Sequence, residues 1–164
     1  MYKVGIITAS DKGSRGERED VSAQVIREEM TKINAQVVEY CIVADEQELI
    51  YEKLVEFADV KKIDLIFTTG GTGFSPRDVT PEATLSAVDR LVPGIPEVMR
   101  MESYKITPRA VLSRAMAGIR KQSLIINLPG SPKAVRENLG WILPALPHGL
   151  EILKGTASEC AQGR

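Results

Sequence analysis

One stretch of this chain concentrates groups that could handle phosphate: Leu65 to Ala83, LIFTTGGTGFSPRDVTPEA, where a short apolar run leads into glycines, hydroxyls and a free carboxylate. Gly70, Gly71 and Gly73 let the main chain take positive φ and come close to a ligand that a Cβ would hold off. Thr80 fits a helix N-cap and Pro81 the first helical position, so a helix should open here and turn its free N–H groups back at the loop. Phosphate oxygens are the natural guests of such a place. The loop fails both common nucleotide fingerprints: Gly71, Gly73 and Pro76 do not complete GxGxxG, and no Lys-Ser/Thr pair follows at the P-loop spacing. This argues against a Rossmann dehydrogenase or a P-loop NTPase.

Two carboxylates are candidates for chemistry beside that loop. Asp78 lies two residues before the expected cap, which leaves its side chain for the mouth of a pocket or for a local turn hydrogen bond. Asp45 opens Asp45-Glu46-Gln47-Glu48, a plausible capping box that would by itself explain an acid there. It also follows a strand ending near Val43, which would put it on the same edge as Asp78. Two such carboxylates would hold Mg²⁺ through oxygen ligands and water rather than in a full protein cage. Ser113-Arg114 offers a hydroxyl and a bidentate guanidinium to an anion, or else a solvated or salt-bridged arginine. His148, the single histidine, sits between Pro147 and Gly149, far along the chain from both loops, and reads as a surface or packing residue. That leaves no basis for a histidine triad or a zinc site.

The elements that must position these groups alternate strand and helix. Lys3 to Ala9 reads as a first strand, followed by a long charged loop from Asp11 to Asp20 and a helix capped by Asp20, with Val21, Val25, Ile26 and Met30 on one face. Ala35 to Val43 has strand composition, Leu49, Leu54, Phe57 and Ala58 mark a second helix, and the apolar run at Leu65 reads as a central strand. After the Thr80 helix come a breaker-rich turn at Val92 to Pro96 and a further helical stretch from Glu97 to Ser103. Ser123 to Leu128 is another strand, and its exit, Pro129-Gly130-Ser131-Pro132, repeats the cap-plus-proline start. The last helix, from Lys133, should kink or break at Pro144 and Pro147. The expected fold is α/β: a single-domain, three-layer arrangement with a mostly parallel sheet and helices on both faces. Both glycine loops should then open at the carboxyl ends of the strands, where ligands of such sheets bind. Residues 1–155 form the expected domain, and 156–164 a flexible tail.

At 164 residues and 43% hydrophobic content the chain suits one core. Lys plus Arg number 21 against 22 Asp plus Glu, a net charge of −1, and no basic cluster is interleaved with aromatics, so a nucleic-acid partner is not expected. No apolar run reaches membrane-spanning length, and Met1-Tyr2-Lys3 leads straight into strand-like sequence, so a soluble, cytoplasmic protein without membrane contact is expected. Cys41 and Cys160 do not suggest a disulfide framework.

Four motifs in order, TTGGTG at Thr68 to Gly73, PRDVTPEAT at Pro76 to Thr84, LSRAMAGIR at Leu112 to Arg120 and LIINLPGSPKAV at Leu124 to Val135, resemble the molybdopterin adenylyltransferases. These form the MogA/MoaB-like family that includes the G domain of gephyrin and its plant counterpart, and the resemblance runs from Lys3 to about Gly155. It implies transfer of AMP from Mg-ATP to the terminal phosphate of molybdopterin, with release of pyrophosphate. It implies a catalytic and metal-facing role for Asp45 and Asp78. Ligand contacts would fall on Thr69, Gly70, Gly71, Thr72 and Gly73, on Ser113 with Arg114, and on Pro129, Gly130, Ser131 and Pro132. A homotrimer and hand-over of the product to a molybdenum insertase are implied as well. The family often has Asp-x-Ser-Gly where this chain has Asp20-Val21-Ser22-Ala23. The alternatives are a molybdopterin-binding or scaffold module without catalysis, and a CinA-like nucleotide hydrolase.

Overall fold

Three strands buried on both faces organise the molecule: β1 (Tyr2–Ala9), β3 (Leu65–Thr69) and β6 (Ser123–Leu128). Their near-continuous Val, Ile and Leu content suits parallel strands covered on both sides. The computed structural model describes residues 1–156, so the expected tail, apart from Thr156, and Cys160 lie outside the described residues. The sheet has six strands in the order β2-β1-β3-β6-β5-β4, with β2 at Ala35–Val43, β4 at Arg90–Leu91 and β5 at Ala117–Arg120. Parallel pairing links β2, β1, β3 and β6; β5 runs antiparallel to β6, and β4 to β5.

Alternation along the strands divides the core in two. Ile6, Leu65, Phe67, Leu124 and Ile126 face one side, where they meet α2 (Val21–Met30), α5 (Gly94–Tyr104), α6 (Pro132–Ile142) and α7 (Leu146–Leu153). Ile7, Ile66 and Ile125 face the other, against α3 (Gln47–Val55), the π-helical turn at Glu56–Val60 and α4 (Thr80–Ala87). The result is the expected three-layer α/β domain. Burial of this apolar surface is the main force holding the layers together.

Five local expectations are corrected. The charged stretch after β1 begins with one helical turn, α1 (Asp11–Ser14), because the Ser10 side chain accepts the Gly13 amide and caps it. No capping box forms at Asp45: α3 starts at Gln47 without a side-chain cap, and the Asp45 carboxylate is taken by a tertiary partner instead. Thr80 lies inside the first turn of α4 rather than capping it, and its hydroxyl donates to the Gly70 carbonyl at 3.0 Å. The turn at Val92 to Pro96 is shortened because α5 begins at Gly94, a first turn that tolerates Pro96. Near Pro144 the last helix does break, into a 3₁₀ turn at Leu143–Ala145, yet Pro147 sits in the first turn of α7 and breaks nothing. Asp20 caps α2 as expected, accepting the amide of Ala23, whose side chain is buried. Among the described residues, no helix is long and apolar enough to cross a membrane.

Candidate functional site

Sequential connections leave β1 toward β2 on one side and β3 toward β6 on the other, so the carboxyl ends of β1 and β3 flank the point where an open sheet offers its crevice. A cavity of about 330 Å³ opens there, walled by the exits of β1, β3 and β6, by Asp45 after β2 and by the start of α2. Asp45, Asp78, Thr69, Gly70, Gly71, Gly130 and Pro132 line it.

The glycine turn is shaped by close packing. Gly70 has φ 90°, and a Cβ there would stand 2.5 Å from the Ala9 carbonyl oxygen; Gly71 has φ 67°, and a Cβ there would collide with Thr80 Oγ1. The Gly70 amide donates to Leu128 O at 3.3 Å and Thr69 Oγ1 to Pro129 O at 2.7 Å, which lock the β3 exit to the β6 exit. The first amide of α4 is spent inside the turn, Thr80 N donating to Gly71 O at 3.1 Å. The amides of Gly71, Thr72 and Gly73 have no hydrogen-bond partner among the described residues. Successive bare amides in a positive-φ turn make an anion-binding concavity.

Asp45 and Asp78 stand at the same turn. Asp45 Oδ1 lies 3.4 Å from where a Cβ on Gly71 would be, and Asp78 Oδ2 lies 2.9 Å from the same point on Gly73. Asp78 Oδ2 accepts the Ser75 amide at 2.9 Å, so the local turn bond exists, while Oδ1 has no partner among the described residues. Asp45 Oδ2 accepts the Asp11 amide at 2.8 Å. Burial pushes the Asp45 carboxyl above the ordinary carboxylate range; the Asp11 amide opposes this, and the charges of Asp11 and Asp78 add to it. Asp11 moves the other way, from 3.8 to about 2, chiefly because Arg77 bonds to its carboxylate.

Ser113 and Pro129 line a second cavity of about 220 Å³ between α5, the 3₁₀ turn at Pro108–Leu112 and α6. Thr72, Gly73, Arg114 and Ser131 line neither cavity. Of the two uses open to Arg114, the ion pair is the one seen: its guanidinium bonds to Gly73 O at 2.8 Å, Asp78 O at 2.6 Å and the Glu82 carboxylate. Ser131 caps α6 through the Ala134 amide. His148 is exposed on α7, away from both cavities. Cys41, on β2, has its thiol raised by burial to about 11, which makes it a poor nucleophile.

Asp20, expected only as a helix cap, and Arg18 enter the cavity, to which the sequence did not assign them. Asp20, next to Glu19, adds a further carboxylate to the wall, held by the hydroxyls of Thr8 at 2.5 Å and Tyr40 at 2.7 Å. Arg18 also lines the cavity, and its side chain has no hydrogen bond or ion pair among the described residues. Neither could be placed without knowing that the start of α2 folds over the β1 exit. Among the described residues no group of three or more His, Cys, Asp or Glu side chains could hold a metal ion. The donor set suits a cation that arrives already carried by phosphate oxygens.

Fold and site together define an α/β domain with a cavity at the carboxyl edge of its sheet, where a glycine turn meets the carboxylates of Asp45 and Asp78. The family model described as "Probable molybdopterin binding domain" matches residues 5–148. The chain is 46% identical over 154 residues to a molybdopterin adenylyltransferase of Helicobacter pylori, covering 93% of this chain and 88% of that one. It is 37% identical over 173 residues to the molybdopterin adenylyltransferase of Escherichia coli K12, covering 97% and 89%. The crystal structure of the molybdopterin biosynthesis enzyme MoaB from Thermus thermophilus superposes with a TM-score of 0.90 at 50% identity, over 94% of this chain and 98% of that one. The chain belongs to the MogA/MoaB molybdopterin-binding family, and so to molybdenum cofactor biosynthesis.

Proposed function

We propose that this protein adenylylates molybdopterin. An oxygen of the terminal phosphate of molybdopterin attacks the α-phosphorus of ATP, the bond from that phosphorus to the bridging oxygen breaks, and pyrophosphate leaves. The observation that carries this reading is the meeting of Asp45 and Asp78 in one cavity at the glycine turn, where the unpaired amide of Gly71 also belongs. The names of the relatives from Helicobacter pylori and Escherichia coli support it.

The attacking phosphate is largely ionised at neutral pH, so no general base is needed and the absence of histidine from the cavity is no obstacle. Catalysis then consists of positioning and of stabilising charge on the transferring group. The amide of Gly71 would receive a phosphate oxygen, and Arg18 is the cation available to the nucleotide, since Arg77 and Arg114 are engaged elsewhere. Asp45 and Asp78 would face Mg²⁺ carried by ATP, each with an oxygen that has no hydrogen bond among the described residues. When bound, that ion would neutralise the phosphate charge and orient the leaving group. The second cavity, lined by Pro129 next to the Gly130 that lines the first, leaves room for the other substrate.

Assembly as a homotrimer and delivery to a molybdenum insertase belong to the same proposal. The α5 region exposes Met101, Tyr104, Ile106, Val111 and Leu112, the kind of apolar surface that a subunit contact would cover. The deciding experiment measures pyrophosphate release from ATP by the purified protein, with and without molybdopterin and Mg²⁺. Release that requires both supports the reading. Binding of molybdopterin without release would leave a carrier module, and ATP cleavage without the pterin would indicate a hydrolase.

A further inference from the structure

Three residues from three neighbouring strand exits are joined in a chain of bonds that the proposed reaction does not itself use. Asp11 follows β1, Asp45 follows β2 and Arg77 lies in the turn after β3, with β1 between the other two strands. The Asp11 amide donates to Asp45 Oδ2 at 2.8 Å, and the Asp45 amide donates back to Asp11 Oδ1 at 3.0 Å. Arg77 closes on Asp11 from the opposite side with both ends of its fork, Nε to Oδ2 at 3.0 Å and Nη2 to Oδ1 at 2.8 Å. Arg77 is covalently next to Asp78.

Fold stability is a weak explanation for this ion pair. The Arg77 side chain is 55% exposed and that of Asp11 30%, and an ion pair this open to water adds little to stability. Its location explains more. Asp45 and Asp78 carry like charge at one turn and would drift apart if each depended only on its own loop. We propose that Asp11 and Arg77 are positioning residues, forming a brace that fixes the Asp45 carboxylate relative to Asp78. The inference rests on the reading of Asp45 and Asp78 as the pair that faces the nucleotide and its metal.

The test compares wild type with Asp11→Asn, Arg77→Gln, Arg77→Lys and the Asp11→Asn/Arg77→Gln double variant. Asparagine keeps the Asp11 amide and one acceptor oxygen, so the local fold survives while the charged fork is lost. Two readouts are used: pyrophosphate release, and binding of Mn²⁺-ATP followed by the electron spin resonance of Mn²⁺. A misplaced reacting group costs up to about 100-fold in rate, so kcat should fall at least about tenfold in Asp11→Asn and Arg77→Gln. The KM for molybdopterin should stay unchanged, Mn²⁺-ATP binding should weaken in both, and Arg77→Lys should fall between. The double variant should be no worse than the poorer single, because both remove one brace. Normal kcat and Mn²⁺-ATP binding in both single variants overturn the proposal, as do losses that simply multiply in the double variant. Impairment in Arg77→Gln with Asp11→Asn intact also overturns it, since Arg77 would then act on the nucleotide directly. If wild type releases no pyrophosphate, the adenylylation reading fails by itself, and Mn²⁺-ATP binding in the variants still decides the brace.

Discussion

Arg114 donates from Nη2 to the main-chain carbonyl of Asp78 at 2.6 Å, so the backbone carrying one candidate catalytic carboxylate is held by a guanidinium 36 residues away. The same guanidinium holds Gly73 O and the Glu82 carboxylate, clamping both ends of the turn.

Arg114→Ala should therefore loosen the Gly73 to Asp78 segment. Hydrogen bonds to charged groups are worth about 1.5–3 kcal/mol when buried, and partial exposure here lowers the expected loss to about 1–2 kcal/mol. Pyrophosphate release should fall further than stability, since Asp78 keeps its charge but loses its place. Urea denaturation and steady-state kinetics on one preparation check this; a variant with normal kcat would show that the clamp is dispensable.

Asp78→Asn and Asp45→Asn separate charge from shape. Both retain an acceptor oxygen for the Ser75 or Asp11 amide, so melting temperatures should stay near wild type. Loss of electrostatic stabilisation in a site of this kind typically costs about 100- to 1,000-fold in kcat. Undiminished turnover in Asp45→Asn would reduce that residue to a partner for Asp11.

Gly71→Ala tests the turn itself. An L-residue at φ 67° is strained, and its Cβ would collide with Thr80 Oγ1, which also anchors the Gly70 carbonyl. A destabilisation of about 2–4 kcal/mol is expected from strain and displaced packing together. Equilibrium unfolding in urea measures it, and an unchanged midpoint would mean that the turn relaxes freely.

Acid sensitivity should trace in part to Asp59. The Arg120 fork, with Lys121 beside it, lowers its pKa from 3.8 to about 2. A carboxylate depressed in the folded state stabilises above its unfolded pKa and loses that contribution as pH falls through the folded value. The melting-temperature gap between wild type and Asp59→Asn should thus be full at about pH 5 and shrink as pH falls from about 4 toward 2. A gap that stays constant over that range would rule out the linkage.

Legibility from sequence followed how local each cause was. Ala35–Val43, Leu65–Thr69 and Ser123–Leu128 stand out as strands because their composition alone demands burial or pairing. Arg90–Leu91 and Ala117–Arg120 exist because β6 offers an edge, and short segments with Gly118 or two exposed residues carry no such signal. The glycine turn was readable from its residues and the Ser131 cap from its pattern. Asp45 was obscured by neighbours that imitate a capping box, and a tertiary amide from Asp11 won over the local one. The Arg77 to Asp11 pair spans 66 residues and depends on β1 lying beside β3, which no local pattern records.

The strand order also has a consequence for biosynthesis. The cavity is walled on one side by Gly130 and Pro132, delivered by β6, which must slot in beside β3 before they arrive. A nascent chain that has emerged from the ribosome only as far as α4 already carries Asp45, Asp78 and the glycine turn, yet β3 still has an open edge and lacks the α5, α6 and α7 cover over the face of Leu65 and Phe67. Because such long-range pairing must wait for distant sequence, the growing polypeptide acquires its cavity only after Pro132 has left the exit tunnel. Truncated products should be bound by chaperones.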